Sequence, residues 1–336
     1  MKVEDFTYTL PKDKIAAHPP KIRGDAKLLV LDRKSGSLQD KQYSDLIDYL
    51  EPGDVLVLND TKVLPARLMG VDQEGVEHEL LVLEKHASGK FDRVLYRGKL
   101  EEGQSLQVAN QKITIVHLED GGIAQVKSEV DLLVLAQKYG DVPLPPYMKR
   151  DATPEDVERY QTAFASQVGS VAAPTASLNL TTALLERIRA KGVQVAYLTL
   201  HVGLGTFLPI RVDDLTNHKM HSEYFEIPTD TVKAIKKANR VITVGTTVCR
   251  TLEYAADQVK HYSGSEAITG EADIFIYPGY EFQVVDGLLT NYHAPKSTVL
   301  MLAAAFAGWD DLLAAYIHAL EFDYRFLSYG DSMLIL

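Results

Sequence analysis

The apolar positions of this chain change their period twice. Up to about Gly70, a helix pattern at Ser44 to Leu50 precedes the turn Pro52-Gly53. After it, the apolar run Asp54-Val55-Leu56-Val57-Leu58-Asn59 predicts a strand buried on both faces. From Val71 to about Tyr139 the pattern becomes two-residue alternation, as in Glu79 to Leu83, Lys112 to Val116 and Ile123 to Val126. Turn signals at Glu74-Gly75, Ser88-Gly89, Glu102-Gly103 and Asp120-Gly121-Gly122 separate these runs. The prolines of Val142-Pro143-Leu144-Pro145-Pro146-Tyr147 then stiffen the backbone, and the helical period returns. Helices are predicted over Thr181 to Lys191, Thr231 to Asn239 and Arg250 to Val259. They alternate with strands over Val195 to Val202, Val241 to Val244 and Ile274 to Tyr277.

This grammar predicts an α/β main domain with a mixed or parallel sheet, residues 1–70 and 145–336, interrupted by a small inserted all-β barrel over 71–144. Sites in such sheets gather where strands end and helices begin. Each motif below lies at such a junction.

Composition narrows the function classes. The 336 residues carry a net charge of −11, which excludes a general nucleic-acid coat and makes any RNA site local. Residues 70–140 contain 8 Lys and Arg against 12 Asp and Glu, so neither part of the chain is a basic module. One local candidate is Thr231 to Arg240, with Lys233, Lys236, Lys237 and Arg240 at helical spacing and no acid. It reads either as a phosphate-binding face or as a solvated one. The single cysteine, Cys249, rules out an intramolecular disulfide and a thiolate metal cluster and fits a reducing compartment. The first residues lack a signal peptide's basic and apolar regions. The apolar stretch Val299 to Trp309 falls short of a bilayer span, so no membrane association is expected.

The junctions supply the chemistry. Val241 to Val248 reads as a buried strand running through Gly245-Thr246-Thr247 into a helix. Its free N–H groups suit a carboxylate or phosphate, although a threonine-capped turn has the same pattern. His201 ends a strand ahead of Gly203 and Gly205, where glycine lets a ligand approach the backbone. His218, His221 and Glu223 are dense enough for metal binding or acid/base work, but lack the spacing of a zinc-protease helix, and no metal is expected. Asn291-Tyr292-His293-Ala294-Pro295-Lys296 leads into an apolar helix, and a lysine in the first helical turn would need an anionic partner. Tyr324 to Asp331 gathers aromatic faces, Arg325, Tyr329 and a carboxylate, a set that suits a sulfonium cation and also ordinary packing.

Taken in order, these segments resemble the S-adenosylmethionine:tRNA ribosyltransferase-isomerases of queuosine synthesis, end to end. The matching stretches include Leu56 to Leu68, Pro143 to Tyr147, Tyr160-Gln161-Thr162, Leu198 to Phe207, Met220 to Glu223, Gly245 to Thr247, Tyr277-Pro278-Gly279, Asn291 to Thr298 and Tyr324 to Asp331. The resemblance implies a cytoplasmic enzyme with no resident cofactor, S-adenosylmethionine being consumed as ribosyl donor. Its other partner would be tRNA carrying 7-aminomethyl-7-deazaguanine, and the chain is expected to act as a monomer. It implies His201, His221, Lys296 and Asp331 as catalytic candidates. Substrate contacts would fall to Asp60, Thr61, Arg67, Thr175, Asn179, Gly203, Gly205, Glu223, Gly245, Thr246, Thr247, Tyr277, Asn291, His293, Arg325 and Tyr329. tRNA would lie on Lys233, Lys236, Lys237 and Arg240.

The family usually reads Ala-Ala-Pro-Thr-Ala-Gly-Leu-His-Phe where this chain has Ala172-Ala173-Pro174-Thr175-Ala176-Ser177-Leu178-Asn179-Leu180. An amide cannot carry a proton near neutral pH, so the change predicts a reshaped pocket wall with any proton transfer at position 179 lost. Two alternatives follow from it: a paralogue acting on another nucleoside or S-adenosylmethionine derivative, or a non-catalytic RNA- or ligand-binding relative.

Overall fold

The computed structural model describes residues 1–83, 92–203, 210 and 212–336. In chain order the strands are β1 (Lys27–Leu31), β2 (Leu38–Gln42), β3 (Val55–Asn59), β4 (Thr61–Val63), β5 (Arg67–Val71), β6 (Glu77–Val82), β7 (Arg93–Tyr96), β8 (Ser105–Val108), β9 (Gln111–Glu119) and β10 (Ile123–Ser128). After helices α1 (Leu132–Tyr139) and α2 (Pro154–Arg159) come β11 (Gln167–Ser170), α3 (Thr182–Ala190), β12 (Gln194–Leu200), β13 (Glu223–Ile227), α4 (Thr229–Lys237) and β14 (Val241–Val244). The chain closes with α5 (Thr246–Tyr254), α6 (Ala256–Lys260), β15 (Ile268–Ala272), β16 (Gly287–Asn291), α7 (Thr298–Ala307), α8 (Trp309–Glu321) and β17 (Ser332–Ile335).

Nine strands form one mixed sheet in the order β15-β13-β12-β3-β14-β16-β17-β1-β2. At its centre β12, β3, β14 and β16 run parallel. Parallel strands must be covered on both sides, which is why they read as continuous apolar runs. Strand β3 shows the division: Val55 and Val57 pack with residues of α4, α5, α7 and α8, whereas Leu56 and Leu58 pack with α3 and the 3-10 turn Tyr43–Tyr49. The sheet is therefore the middle of three layers.

Strands β5 to β10 close a six-stranded antiparallel barrel, with Leu68, Leu80, Val82, Val94, Ile113 and Ile115 inside and α1 packed against the same core. The chain enters the barrel at Arg67 and leaves it at Asp141, and these two residues exchange both backbone hydrogen bonds (3.1 and 2.9 Å). Arg67 also donates from Nη2 to the Leu144 carbonyl at 3.3 Å and lies 3.6 Å from Glu79.

Several expected elements are corrected. Ile274 to Tyr277 is not a strand; the ladder partner of β13 is the more polar edge segment Ile268–Ala272, which carries no clean apolar run. The apolar side chains of Ile274, Phe275 and Ile276 instead line a cavity. The helix expected from Arg250 begins at Thr246 and divides at Ala255 into α5 and α6, and Ser44 to Leu50 forms a 3-10 turn. No single helix among the described residues is long and apolar enough to cross a membrane, and α7 with α8 reaches that length only through a 112° bend.

The basic segment is also divided. Lys233, Lys236 and Lys237 are exposed on α4, but Lys233 stands 3.9 Å from Asp230 and Lys236 Nζ donates to the Tyr262 carbonyl at 2.8 Å. Arg240 lies beyond the helix. Its Nε and Nη2 donate to buried Asp54 at 3.1 and 2.6 Å, and Nη2 also to the Tyr49 carbonyl at 3.1 Å, pinning the start of β14 to the start of β3. Arg240→Ala leaves Asp54 buried without its partner and is expected to lower the unfolding free energy by about 1–3 kcal/mol. Lys233→Ala should stay within about 0.5 kcal/mol of the parent. Urea titration of both variants checks the contrast, and equal midpoints would remove the structural role from Arg240.

Candidate active site

Strand direction brings the motifs together. Strands β3, β12, β14 and β16 end on one edge of the sheet, while β13 and β17, antiparallel to β12 and β16 respectively, start there. Glu223, Gly245, Asn291 and Ser328 therefore arrive from distant parts of the sequence at one cavity of about 510 Å³. Of the predicted residues, Thr175, His221, Glu223, Gly245, Thr246, Thr247, Asn291, His293 and Lys296 line it. The exposed lysines of α4 precede β14, whereas the cavity lies beyond that strand's end, so topology places them at the opposite edge.

The floor of the cavity is an ion pair. Glu223, the first residue of β13, accepts from the Gly203 N–H at 2.7 Å with Oε1, and its Oε2 pairs with Arg250 of α5. Both side chains are buried, at 5% and 9% exposure. Arg250 was missed in the sequence; its signal is a cation inside α5 at a position the helical period assigns to the core. Burial pushes its guanidinium down to about 10, with Asp273 opposing the shift.

The opposite wall follows β16. Asn291 Oδ1 accepts from Thr175 Oγ1 at 2.9 Å, and Asn291 Nδ2 donates to the Asp331 carbonyl at 3.3 Å. The half-buried His293 contacts Thr290 Oγ1 through Nε2 at 2.9 Å, and burial holds its imidazole down at about 3, so it is neutral at neutral pH. Lys296 precedes the Ser297 cap of α7 instead of entering the helix, has a left-handed backbone (φ 59°), and meets its carboxylate partner at the exposed Glu4, 2.6 Å away. His221 lines the cavity and makes no side-chain hydrogen bond among the described residues. His218 packs edge-on against Phe275, and among the described residues no three His, Cys, Asp or Glu side chains converge as a metal site.

The remaining predicted residues support the cavity from behind. His201 is buried, with Nδ1 2.9 Å from Thr61 Oγ1 and its ring stacked on Tyr224. Asn59, Asp60 and Thr61 splice the ends of β3 and β12: Asn59 bonds both backbone groups of Leu200, and Asp60 accepts from Thr199 Oγ1 at 2.7 Å and Ser166 Oγ at 2.9 Å. Asp331 accepts from the backbone N–H groups of Lys27 and Arg325, both at 2.7 Å, while burial pushes its carboxyl up. Arg325 is exposed and donates to the Ile15 carbonyl, Tyr329 donates to Asp156, and Tyr277 packs on Phe275 without lining the cavity. Gly205 lies outside the described residues.

The divergent segment is turned away from the cavity. Ala172 to Ala176 line it, but Ser177, Asn179 and Leu180 do not. Asn179 is buried and donates to the Gly330 carbonyl at 3.2 Å, a bond that an imidazole N–H makes equally well, and Leu180 belongs to the core below the sheet. The expectation of a reshaped wall is corrected accordingly.

A family model described as "Queuosine biosynthesis protein" matches residues 3–335. Among curated proteins, the S-adenosylmethionine:tRNA ribosyltransferase-isomerases of Pelodictyon phaeoclathratiforme and Chlorobaculum parvum are 54% and 53% identical, each alignment covering 100% of both chains. That of Halothermothrix orenii is 47% identical over the same full extent. The crystal structure of S-adenosylmethionine tRNA ribosyltransferase from Thermotoga maritima is 34% identical, with a TM-score of 0.57, covering 99% of this chain and 100% of that one.

Two outcomes follow from the geometry. Asn179→His should change turnover by less than about twofold, in contrast to the 10²–10⁴ typical of a proton-transfer group; a larger gain in steady-state rate would return the position to the chemistry. The His293 imidazole, depressed from 6.5 to about 3, leaves the unfolded chain binding more protons between those values. Stability should therefore fall as pH drops below about 6.5. Between pH 6.5 and 5, His293→Gln should lose about 1.6 kcal/mol less than the parent in urea titrations, and parallel losses would contradict the depressed imidazole.

Proposed function

The chain belongs to the queuosine biosynthesis protein family, and from that membership we propose that it moves and isomerises the ribosyl part of S-adenosylmethionine onto 7-aminomethyl-7-deazaguanine in tRNA, releasing adenine and methionine. The observation that carries this reading is the cavity at the strand ends, lined by Thr175, Glu223, Gly245 to Thr247 and Asn291 to Thr298. With the divergent side chains turned out of that cavity, nothing among the described residues of its wall favours a paralogue or a non-catalytic relative.

The reaction needs a base, a proton donor and an uncharged amine. The sulfonium acidifies the adjacent ribose methylene, whose proton the base takes. Adenine then departs with a proton from the donor, the aminomethyl nitrogen attacks the ribose, and ring rearrangement expels methionine and leaves the epoxycyclopentane. The donor's own sulfonium acts as the electron sink, so no metal or resident cofactor is assigned.

We assign the base to His221, a cavity-lining imidazole without a competing side-chain bond among the described residues. Lys296, which lines the cavity from the turn before α7 with its ammonium paired to Glu4, is assigned as proton donor to adenine. His293, neutral and held by Thr290, positions substrate by hydrogen bonding. His201 and Asp331 hold strand ends in place and are assigned as positioning residues. We take the chain to act as a monomer, in the cytoplasm beside its tRNA.

Incubation with S-adenosylmethionine and tRNA bearing the aminomethyl base should release adenine and methionine in equal amounts, with the matching mass gain on the tRNA. His221→Asn should reduce kcat by about 10²–10⁴ while S-adenosylmethionine affinity changes little. Absence of adenine release by the parent would overturn the function; an unchanged kcat in the variant would move the base elsewhere.

A further inference from the structure

The ion pair on the cavity floor is not explained by folding. Burying two charges costs about as much as their attraction returns, so such a pair is weak evidence for stability. Glu223 and Arg250 nevertheless stand together in the wall of the cavity at 5% and 9% exposure. Arg250 Nε has no hydrogen-bond partner, and neither has the buried Oγ1 of Thr247 three residues earlier on α5. Residues three apart share a helix face, and both residues line the cavity. The start of α5 adds to them. Gly245 supplies no capping side chain, and the first backbone N–H to close the helix is that of Cys249, onto the Gly245 carbonyl at 3.2 Å. The N–H groups of Thr246 and Thr247 are left at the positive end of the dipole, beside the cavity both residues line.

A positive face of backbone N–H groups, a hydroxyl and a guanidinium edge therefore adjoins one carboxylate. Glu223 has spare lone pairs, since each of its oxygens has a single protein partner. The geometry points to a clamp for an α-amino-acid zwitterion: its carboxylate on the start of α5, Thr247 and Arg250, its ammonium on Glu223. A zwitterion adds no net charge to a neutral pair, yet offers an acceptor to the vacant donors of Thr247 and Arg250. Resting on the function proposed above, this sets the methionine arm of S-adenosylmethionine against α5 and leaves the nucleoside arm toward Asn291, His293 and Lys296. It also makes the released methionine a ligand of the same clamp, and hence an inhibitor competitive with S-adenosylmethionine.

The unmodified protein provides the first test, by calorimetric titration with S-adenosylmethionine and with its decarboxylated analogue. Loss of the carboxylate should weaken binding by about 10–100-fold, the range of a charge-assisted hydrogen-bond set. L-Methionine should compete with S-adenosylmethionine, and methioninamide should do so at least tenfold less well. Location is tested by Thr247→Val and Arg250→Gln, each of which should shrink the discrimination threefold or more. Thr247→Val keeps shape and charge, so it decides the matter if Arg250→Gln does not fold. Equal affinity for the two donors, with product still formed, overturns the clamp and leaves the function standing. Discrimination that survives Thr247→Val undiminished overturns the placement. A parent that neither binds S-adenosylmethionine nor releases adenine removes both the function and the clamp.

Discussion

Parallel pairing is the constraint on which this molecule depends. Strands that run the same way in one sheet end at the same edge, and each must be reached by a crossover that packs on a face. The chain meets that requirement with β12, β3, β14 and β16, whose four C-terminal ends deliver His201, Asn59, Gly245 and Asn291 to a common rim. Because the next residues must leave the sheet, the rim is built of turns and helix starts, whose backbone groups are unpaired. A cavity at the strand ends, with a few polar groups set among apolar side chains, is the direct consequence. The antiparallel neighbours β13 and β17 complete it by starting where the others end.

Much of this was legible in the sequence because burial on both faces leaves an unmistakable trace. Val55 to Leu58 and Val241 to Val244 read as buried strands and are buried strands. The barrel announced itself through alternation between glycine turns. Edge elements were less visible: β15 is half polar and has one neighbour in the sheet, so neither period nor apolar run marks it. Ile274 to Ile276 misled for the complementary reason, being apolar for the sake of a cavity wall.

The site was legible as a set of junctions but not as a division of labour. Sequence spacing cannot distinguish a side chain that faces the cavity from one that ties the rim together behind it. Asp60, Thr61, His201 and Asp331 are all polar and all buried or nearly so, and each is consumed by hydrogen bonds that hold strand ends in register. Arg250 escaped notice because a single cation within a helix of mixed character reads as noise until its partner, 27 residues earlier in the chain, is brought beside it. Asn179 shows the converse. A substitution that looks chemically severe is mild where the side chain lies behind the wall and donates to the Gly330 carbonyl.

The entry and exit of the barrel lie side by side, with Arg67 and Asp141 exchanging backbone hydrogen bonds. To the sheet, everything between them is a loop whose ends already touch. The entropy of closing such a loop grows only logarithmically with its length. The parent fold is thus nearly indifferent to what is threaded through that gap, and a short hairpin turn or an unrelated small module could occupy it in place of the barrel. The junction is a socket, and it gives this architecture a natural point for exchanging the inserted module while the chemistry at the strand ends is left undisturbed.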